Sequence, residues 1–306
     1  MTGSAPSRPS ILLLGESGQL GKELARALVA VGNLRTLGRT DLDLTDAART
    51  RETIRSLAPA AIVNAAAYTR VDDAETESAL AFAVNAVGPG ILAEEAARSG
   101  ALLVHYSTDF VFDGRASRPY RESDPPNPLS AYGASKLAGE EAVAAADANH
   151  LIFRTAWLYG PEAGYVAVVR RAARRAGPMR FVHDQFGSPT WGRRVARTTA
   201  RILAGLVLAD RFEIPVETRG VYHLAGAGGA SRLELAKAIL DLDREIWGSS
   251  APEIEPVSSE AFVQRAPRPA YGVLDCRLIG DRFGVRLEPW RRDLARALRS
   301  RSPDRG

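Results

Sequence analysis

A doubly wound parallel α/β sheet, with helices on both faces and a smaller C-terminal domain, is the architecture this sequence predicts. Three observations carry the prediction. Short, continuous apolar runs at Ser10–Leu14, Ala61–Asn64 and Leu151–Trp157 have the composition of strands buried on both faces. Amphipathic segments such as Leu20–Val31 stand between such runs, giving the strand-helix alternation of βαβ units. Beyond about residue 160 the alternation becomes irregular and the loops lengthen, which marks a second region.

The bulk properties bound what this fold can do. A chain of 306 residues, 45% hydrophobic, can bury one large core or two intimately joined ones. No apolar run approaches the ~18 residues of a membrane span, and Met1–Pro9 lacks the apolar stretch of a signal peptide. A cytoplasmic protein with a loose N-terminal tail and no membrane partner is expected. The only cysteine, Cys276, cannot form an intramolecular disulfide, and His105, His150, His183 and His223 lack metal-ligand spacing, so no structural zinc site is expected. A net charge of +4 would permit nucleic-acid binding. However, Arg170, Arg171, Arg174 and Arg175, and again Arg291, Arg292, Arg296 and Arg299, are spaced as solvated helix faces without interleaved aromatics. No nucleic-acid partner is expected.

Taken in order, the run Ser10–Leu14 feeds directly into G-E-S-G-Q-L-G. Gly15, Gly18 and Gly21 have the spacing of a dinucleotide-binding turn, in which backbone approaches a pyrophosphate closely and the next helix packs tightly. That helix's first amides would hold the phosphates, so Gln19 and Leu20 join the candidate cofactor residues. Glycines also serve plain turns; the position between a buried strand and an amphipathic helix favours binding. Leu34–Leu37 is the second strand. An acid after it would suit NAD, and an arginine a 2′-phosphate. Here Gly38 and Arg39 follow, with no acid until Asp41, so NADPH is favoured over NADH; one more surface arginine is the plain alternative. Ala61–Asn64 runs into Ala65, Ala66 and Ala67, whose small side chains allow either close ligand approach or simple tight packing. Val71–Ala97 holds one or two helices with Asn85 inside.

The stretch from His105 to Glu140 carries the chemistry. Ala101–Tyr106 is strand-like, with Tyr106 a candidate cofactor neighbour, and Ser107, Thr108 and Asp109 fall at its carboxyl end, where open α/β sheets bind ligands. Tyr132 and Lys136 stand four apart in a helical segment, so a phenol and an ammonium share one helix face. A fixed positive charge there favours the phenolate and lowers the tyrosine from ~10 toward the operating pH. Only three of the 40 basic residues are lysines, Lys22, Lys136 and Lys237. A lysine retained at this point suggests work that a guanidinium cannot do, although a surface Tyr-Lys pair is the plain alternative.

S-T-D followed by Y-x-x-x-K resembles the extended short-chain dehydrogenase/reductases. V-N-A-A-A-Y-T-R-V-D-D-A-E, S-T-D-F-V-F-D-G and D-Q-F-G-S-P-T resemble the dTDP-4-dehydrorhamnose reductase branch, and the likeness runs from about Ile11 to about Pro289. The resemblance implies a Rossmann-type cofactor domain from 9–160 with about 193–226, and a substrate-binding domain from 161–192 and 227–306. It implies that NAD(P)H reduces a dTDP-linked 4-keto sugar to make dTDP-rhamnose for cell-surface polysaccharide. Asp43 and Leu44 would border the adenine, Ala65–Ala67 the dinucleotide, and Asn85 would hold backbone beside the active site. Thr108, Tyr132 and Lys136 would be catalytic, with Tyr132 and Lys136 also meeting the cofactor and Thr108 the substrate, and Asp109 would orient a sugar hydroxyl. Trp157 would pack on the sugar, Gln185, Phe186, Pro189 and Thr190 would belong to the substrate loop, and Arg268, stiffened by flanking prolines, would meet the diphosphate. A core tryptophan and a surface arginine are the plain alternatives for Trp157 and Arg268.

Three positions depart from the family pattern. Arg232 stands where Trp usually follows the Ser231 cap, Gly272 where Ser is usual, and Gly164-Tyr165 replaces Asn-Phe. They leave the sugar open, so a reductase of another dTDP-keto sugar, such as the one that makes dTDP-dihydrostreptose, is the first rival. A regulatory subunit of the same fold is the second. Monomer or homodimer, and any need for Mg2+, stay open at this point.

Overall fold

The computed structural model describes residues 8–174, 177–244 and 253–300. Met1–Ser7 and Arg175, on which the expectations of an N-terminal tail and an arginine helix face bear, lie outside the described residues. Six parallel strands form the central sheet: β1 (Ser10–Leu14), β2 (Asn33–Leu37), β3 (Ala61–Asn64), β4 (Leu102–Thr108), β5 (Asn149–Thr155) and β6 (Gly220–His223). Their order is β6-β5-β4-β3-β1-β2, every pairing parallel. The winding reverses on either side of β1, and a crevice opens at such a switch point at the strands' carboxyl ends.

The helices are α1 (Gln19–Leu28), α2 (Ala47–Leu57), α3 (Ser78–Phe82), α4 (Gly88–Ser99), α5 (Ala131–Ala145), α6 (Tyr165–Ala173), α7 (Gly192–Gly205), α8 (Arg232–Leu242), α9 (Arg277–Phe283) and α10 (Trp290–Arg299). Alternation along β1 sends Ile11 and Leu13 into the core under α1 and α7, and Leu12 and Leu14 into the core under α2 and α4. That double burial is why β1 reads as an unbroken apolar run. A further core gathers Val166, Val169, Leu235, Ile239 and Leu294 from α6, α8 and α10. Among the described residues no helix is long and apolar enough to cross a membrane.

Several expected boundaries move. β4 runs two residues past Tyr106, because pairing with β5 continues through Ser107↔Arg154 and Thr108↔Thr155. Ser107 and Thr108 therefore belong to the strand, and Asp109 opens a 3-10 turn. The segment around Asn85 is a π-helical turn, Ala83–Val87, leading into α4. α8 runs from Arg232 to Leu242. It starts from a capping box: Ser231 Oγ accepts from the Glu234 amide, and the Glu234 carboxylate accepts from the Ser231 amide. The expected solvated face at Arg170 is also corrected. Arg170 is buried, with its Nε 2.6 Å from Asp243, because α6 packs against α8 and the pair satisfies the charge that packing desolvates.

Candidate active site

The carboxyl ends of β1, β3, β4 and β5 open into a cleft of about 720 Å³. At one end lies the glycine turn. Gly15 has φ +80°, and a Cβ there would lie 2.5 Å from the Ala66 amide nitrogen, so the turn tolerates no side chain. No side chain caps α1 at Gly18, and Gly18, Gln19 and Leu20 line the cleft with the helix's first amides. Gly21 lies behind them, packed on the Gly15 carbonyl. Arg39, Asp43 and Leu44 line the outer end, where Arg39 is 75% exposed with its Nε 3.8 Å from Asp43. Asp41 is exposed and accepts from the Gly38 amide at 2.8 Å. Ala65, Ala66 and Ala67 line the cleft beside Gly15.

At the other end, β4 delivers Thr108 and Asp109 and α5 delivers Tyr132 and Lys136. The Tyr132 ring stands edge-on to Phe110 at 5.6 Å. Burial pushes its phenol up to about 12; a hydrogen bond with Thr108 pulls the other way, and the Asp109 charge adds to the rise. The expected lowering by Lys136 is therefore not found in this structure. The two residues do share a helix face, but the buried Lys136 stem runs into the sheet, where Nζ donates to the Tyr106 carbonyl at 2.6 Å and meets His105 Nε2 at 3.2 Å.

That last contact has a definite sense. Asn64 Oδ1 accepts from the Ala66 amide, so Asn64 Nδ2 donates to His105 Nδ1 at 3.2 Å. The neutral imidazole then carries its proton on Nε2, facing Lys136, which favours an uncharged amine. Burial acts in the same direction and brings Lys136 down to about 8, against the pull of Glu140. Asp109 is also displaced: burial raises its carboxyl to about 7, opposed by the bond from Thr108 Oγ1 (3.1 Å) and by the charge of Arg232. Asn85, in the π turn, clasps the Tyr68 backbone. Its Oδ1 accepts from Tyr68 N at 2.8 Å, and Nδ2 donates to Tyr68 O and to Ser135 Oγ of α5, both at 3.0 Å.

The third wall is Trp157, half-buried, with φ +41°, a strained setting for a bulky side chain. The Arg232 guanidinium lies 3.5 Å from its ring centroid and 5.0 Å from that of Tyr165. Gln185, Phe186, Pro189 and Thr190 do not line the cleft; they stand behind this wall. Thr190 N donates to the Trp157 carbonyl at 3.2 Å, the Arg232 amide donates to the Gln185 carbonyl at 3.2 Å, and Thr190 Oγ1 bridges the Ser188 carbonyl and Gly226 amide. Phe186 is 39% exposed and tilts toward Tyr271. Within the same loop, a Cβ on Gly187 would lie 2.3 Å from the Trp157 indole. Arg268 does line the cleft, yet its fork is bound to Asp72 at 3.1 and 2.7 Å, a bond that holds Asp72 at about 2.

Residues outside the sequence reading also line the cleft. Thr69 sat inside V-N-A-A-A-Y-T-R-V with Val71, so that motif carried a signal; Leu80, Val84 and Thr155 had none. The cleft, with its glycine turn and polar lining, suits a polar ligand. Buried Gln19 Nε2, Ser107 Oγ and Thr155 Oγ1 line it without a hydrogen-bond partner, and such orphans call for one.

The family model described as the RmlD substrate binding domain matches residues 9–302. The chain belongs to this family. Among relatives of known name, it is 41% identical over 288 residues to a dTDP-4-dehydrorhamnose reductase of Burkholderia thailandensis, covering 92% of this chain and 95% of that one. It is 36% identical to the dTDP-4-dehydrorhamnose reductase of Salmonella typhimurium, covering 94% and 97%. Among solved family structures, the Bacillus anthracis dTDP-4-dehydrorhamnose reductase in complex with NADP superposes with a TM-score of 0.86 at 30% identity, covering 96% of this chain and all of that one.

Proposed function

We propose that the chain reduces dTDP-4-dehydro-L-rhamnose to dTDP-L-rhamnose with NADPH, supplying the product for cell-surface polysaccharide. The observation that carries this reading is one cleft with an uncapped glycine turn at one end and Thr108, Asp109 and Tyr132 together at the other, in a chain of this family. A bound reduced nicotinamide supplies the hydride.

The glycine turn and α1 amides hold the diphosphate of the cofactor, Arg39 takes the 2′-phosphate, and Asp43 and Leu44 border the adenine. Ala65–Ala67 and Tyr106 shape the inner half of that site. Tyr132 supplies the proton to the developing alkoxide. With its phenol at about 12 in the cofactor-free protein, Tyr132 is protonated throughout the neutral range, the form a donor requires. Thr108 aligns Tyr132, Asp109 orients a sugar hydroxyl, and Lys136 holds the nicotinamide ribose. The cofactor half comprises 9–160 with about 193–226, and the remainder closes over the substrate.

A specific observation keeps a second sugar in view. A Cβ on Gly272 would lie 2.7 Å from Asp109 Oδ2, so the glycine lets the carboxylate proposed to orient the sugar sit where a side chain would displace it. The test is a panel of freshly generated dTDP-4-keto sugars with NADPH and NADH, followed by nicotinamide oxidation. The rhamnose precursor with NADPH is expected to give the highest kcat/KM. Preference for another keto sugar would move the assignment, and turnover confined to sugars without a nucleotide would end it.

A further inference from the structure

We infer that Arg232 is the cation that holds the substrate's diphosphate, and that Arg268 is the strut which shapes its surroundings. The inference deepens the proposed function and rests on it.

Arg268 and Arg232 differ in how many of their donors are already used. Arg268 lines the cleft, but its Nη1 already serves Asp72, Gln264 and the Ala266 carbonyl, and Nη2 serves Asp72. Asp72 also accepts from the Arg265 and Ala266 amides, so the pair ties the C-terminal segment to the loop before α3 and largely cancels its own charge. Arg232 is in the opposite state. Among the described residues its guanidinium has no hydrogen-bonded acceptor and no carboxylate within ion-pair distance, only the faces of Trp157 and Tyr165. A planar cation stacked on an aromatic face keeps its N–H edge available for a bidentate anion.

The platform is also built. Trp157 holds a left-handed backbone, Thr190 fixes its carbonyl, Gly187 clears space for the indole, and the capping box at Ser231 fixes where Arg232 leaves α8. Strain and convergent support of this kind are concentrated at ligand-binding positions. Arg232 lines the cleft together with Asp109, the carboxylate proposed to orient the sugar, and Arg268. A diphosphate joins the sugar to the nucleoside, and its paired oxygens match the open fork.

The experiment uses the full chain saturated with oxidised cofactor, in wild-type, Arg232→Gln and Arg232→Lys forms. Binding of dTDP is measured by calorimetry and that of thymidine by displacement. Arg232→Gln is expected to weaken dTDP about 10- to 100-fold, the value of a charge-assisted pair of bonds, while thymidine and cofactor stay within about twofold. Arg232→Lys, which keeps charge but not the fork, should recover part of the loss. Equal weakening of dTDP and thymidine would make Arg232 a nucleoside or structural residue. An unchanged dTDP affinity with a raised KM for the keto sugar would make it a sugar residue; either result overturns the inference alone. Failure of the wild type to bind any nucleoside diphosphate would overturn it together with the proposed function.

Discussion

Asp109 offers a test of the buried end of the cleft that requires no substrate. Its carboxyl stands at about 7 in the folded protein against 3.8 in an unfolded chain, chiefly because burial penalises the charge. Between those two pH values the folded protein keeps a proton that the unfolded chain has released, so stability falls as pH rises through the window. The full penalty is on the order of 4 kcal/mol, with about 2–3 kcal/mol of it developing between pH 5 and pH 8. Asp109→Asn stays neutral and loses that slope. The assay is urea unfolding of the cofactor-free protein and the variant at pH 5, 6, 7 and 8. Every group that titrates alike in both cancels in the difference, and the neighbours Tyr132 and Arg232 titrate well above the window, at about 12 and about 10. The variant is expected to gain about 2–3 kcal/mol on the wild type from pH 5 to pH 8. A difference that is flat with pH would show Asp109 to be ionised throughout and the burial argument to be wrong.

Other consequences follow from named contacts. Asn85→Ala strands both polar groups of the Tyr68 backbone and should cost about 3–5 kcal/mol of unfolding free energy; a loss below about 1 kcal/mol would mean the clasp is replaceable. Arg39→Ala should weaken NADPH about three- to tenfold and NADH hardly at all, a modest figure because the exposed guanidinium is screened by solvent. Equal loss for both cofactors, in fluorescence titrations, would place Arg39 away from the 2′-phosphate. Lys136→Arg keeps the charge but cannot fit the compact site between His105 and the Tyr106 carbonyl, so cofactor binding and turnover should both fall by about tenfold or more; normal NADPH affinity would contradict that.

How much of this was legible depends on whether the cause was local. β1, the glycine turn and α1 follow from a run of side chains and three glycines, and the structure places them where the spacing put them. Tyr132 and Lys136 share a face of α5 because i and i+4 always do. What helical spacing could not reveal is where the lysine's stem goes or how deeply the phenol is buried: Lys136 is bound by β4 residues brought in by the sheet, and burial raises the tyrosine. The substrate wall was least legible. D-Q-F-G-S-P-T was expected to touch ligand, and in the structure its residues stand behind Trp157 rather than in the cleft lining, while Arg232 entered the reading only as a departure from pattern. Both facts arise from packing between segments some 30 to 75 residues apart, which no local signal encodes.

The central claim, that Tyr132 protonates the sugar oxygen while a nicotinamide delivers hydride, meets its most direct test in a single-turnover comparison of wild type and Tyr132→Phe. Both are loaded with NADPH and mixed with dTDP-4-dehydro-L-rhamnose, and the nicotinamide absorbance is followed with time. Removing the phenolic hydroxyl takes away the proton donor and the bond to Thr108 but leaves the cleft's shape, so cofactor affinity should be unchanged and the oxidation step slower by about 10²–10⁴-fold. A variant that oxidises NADPH within about threefold of the wild-type rate would contradict the account.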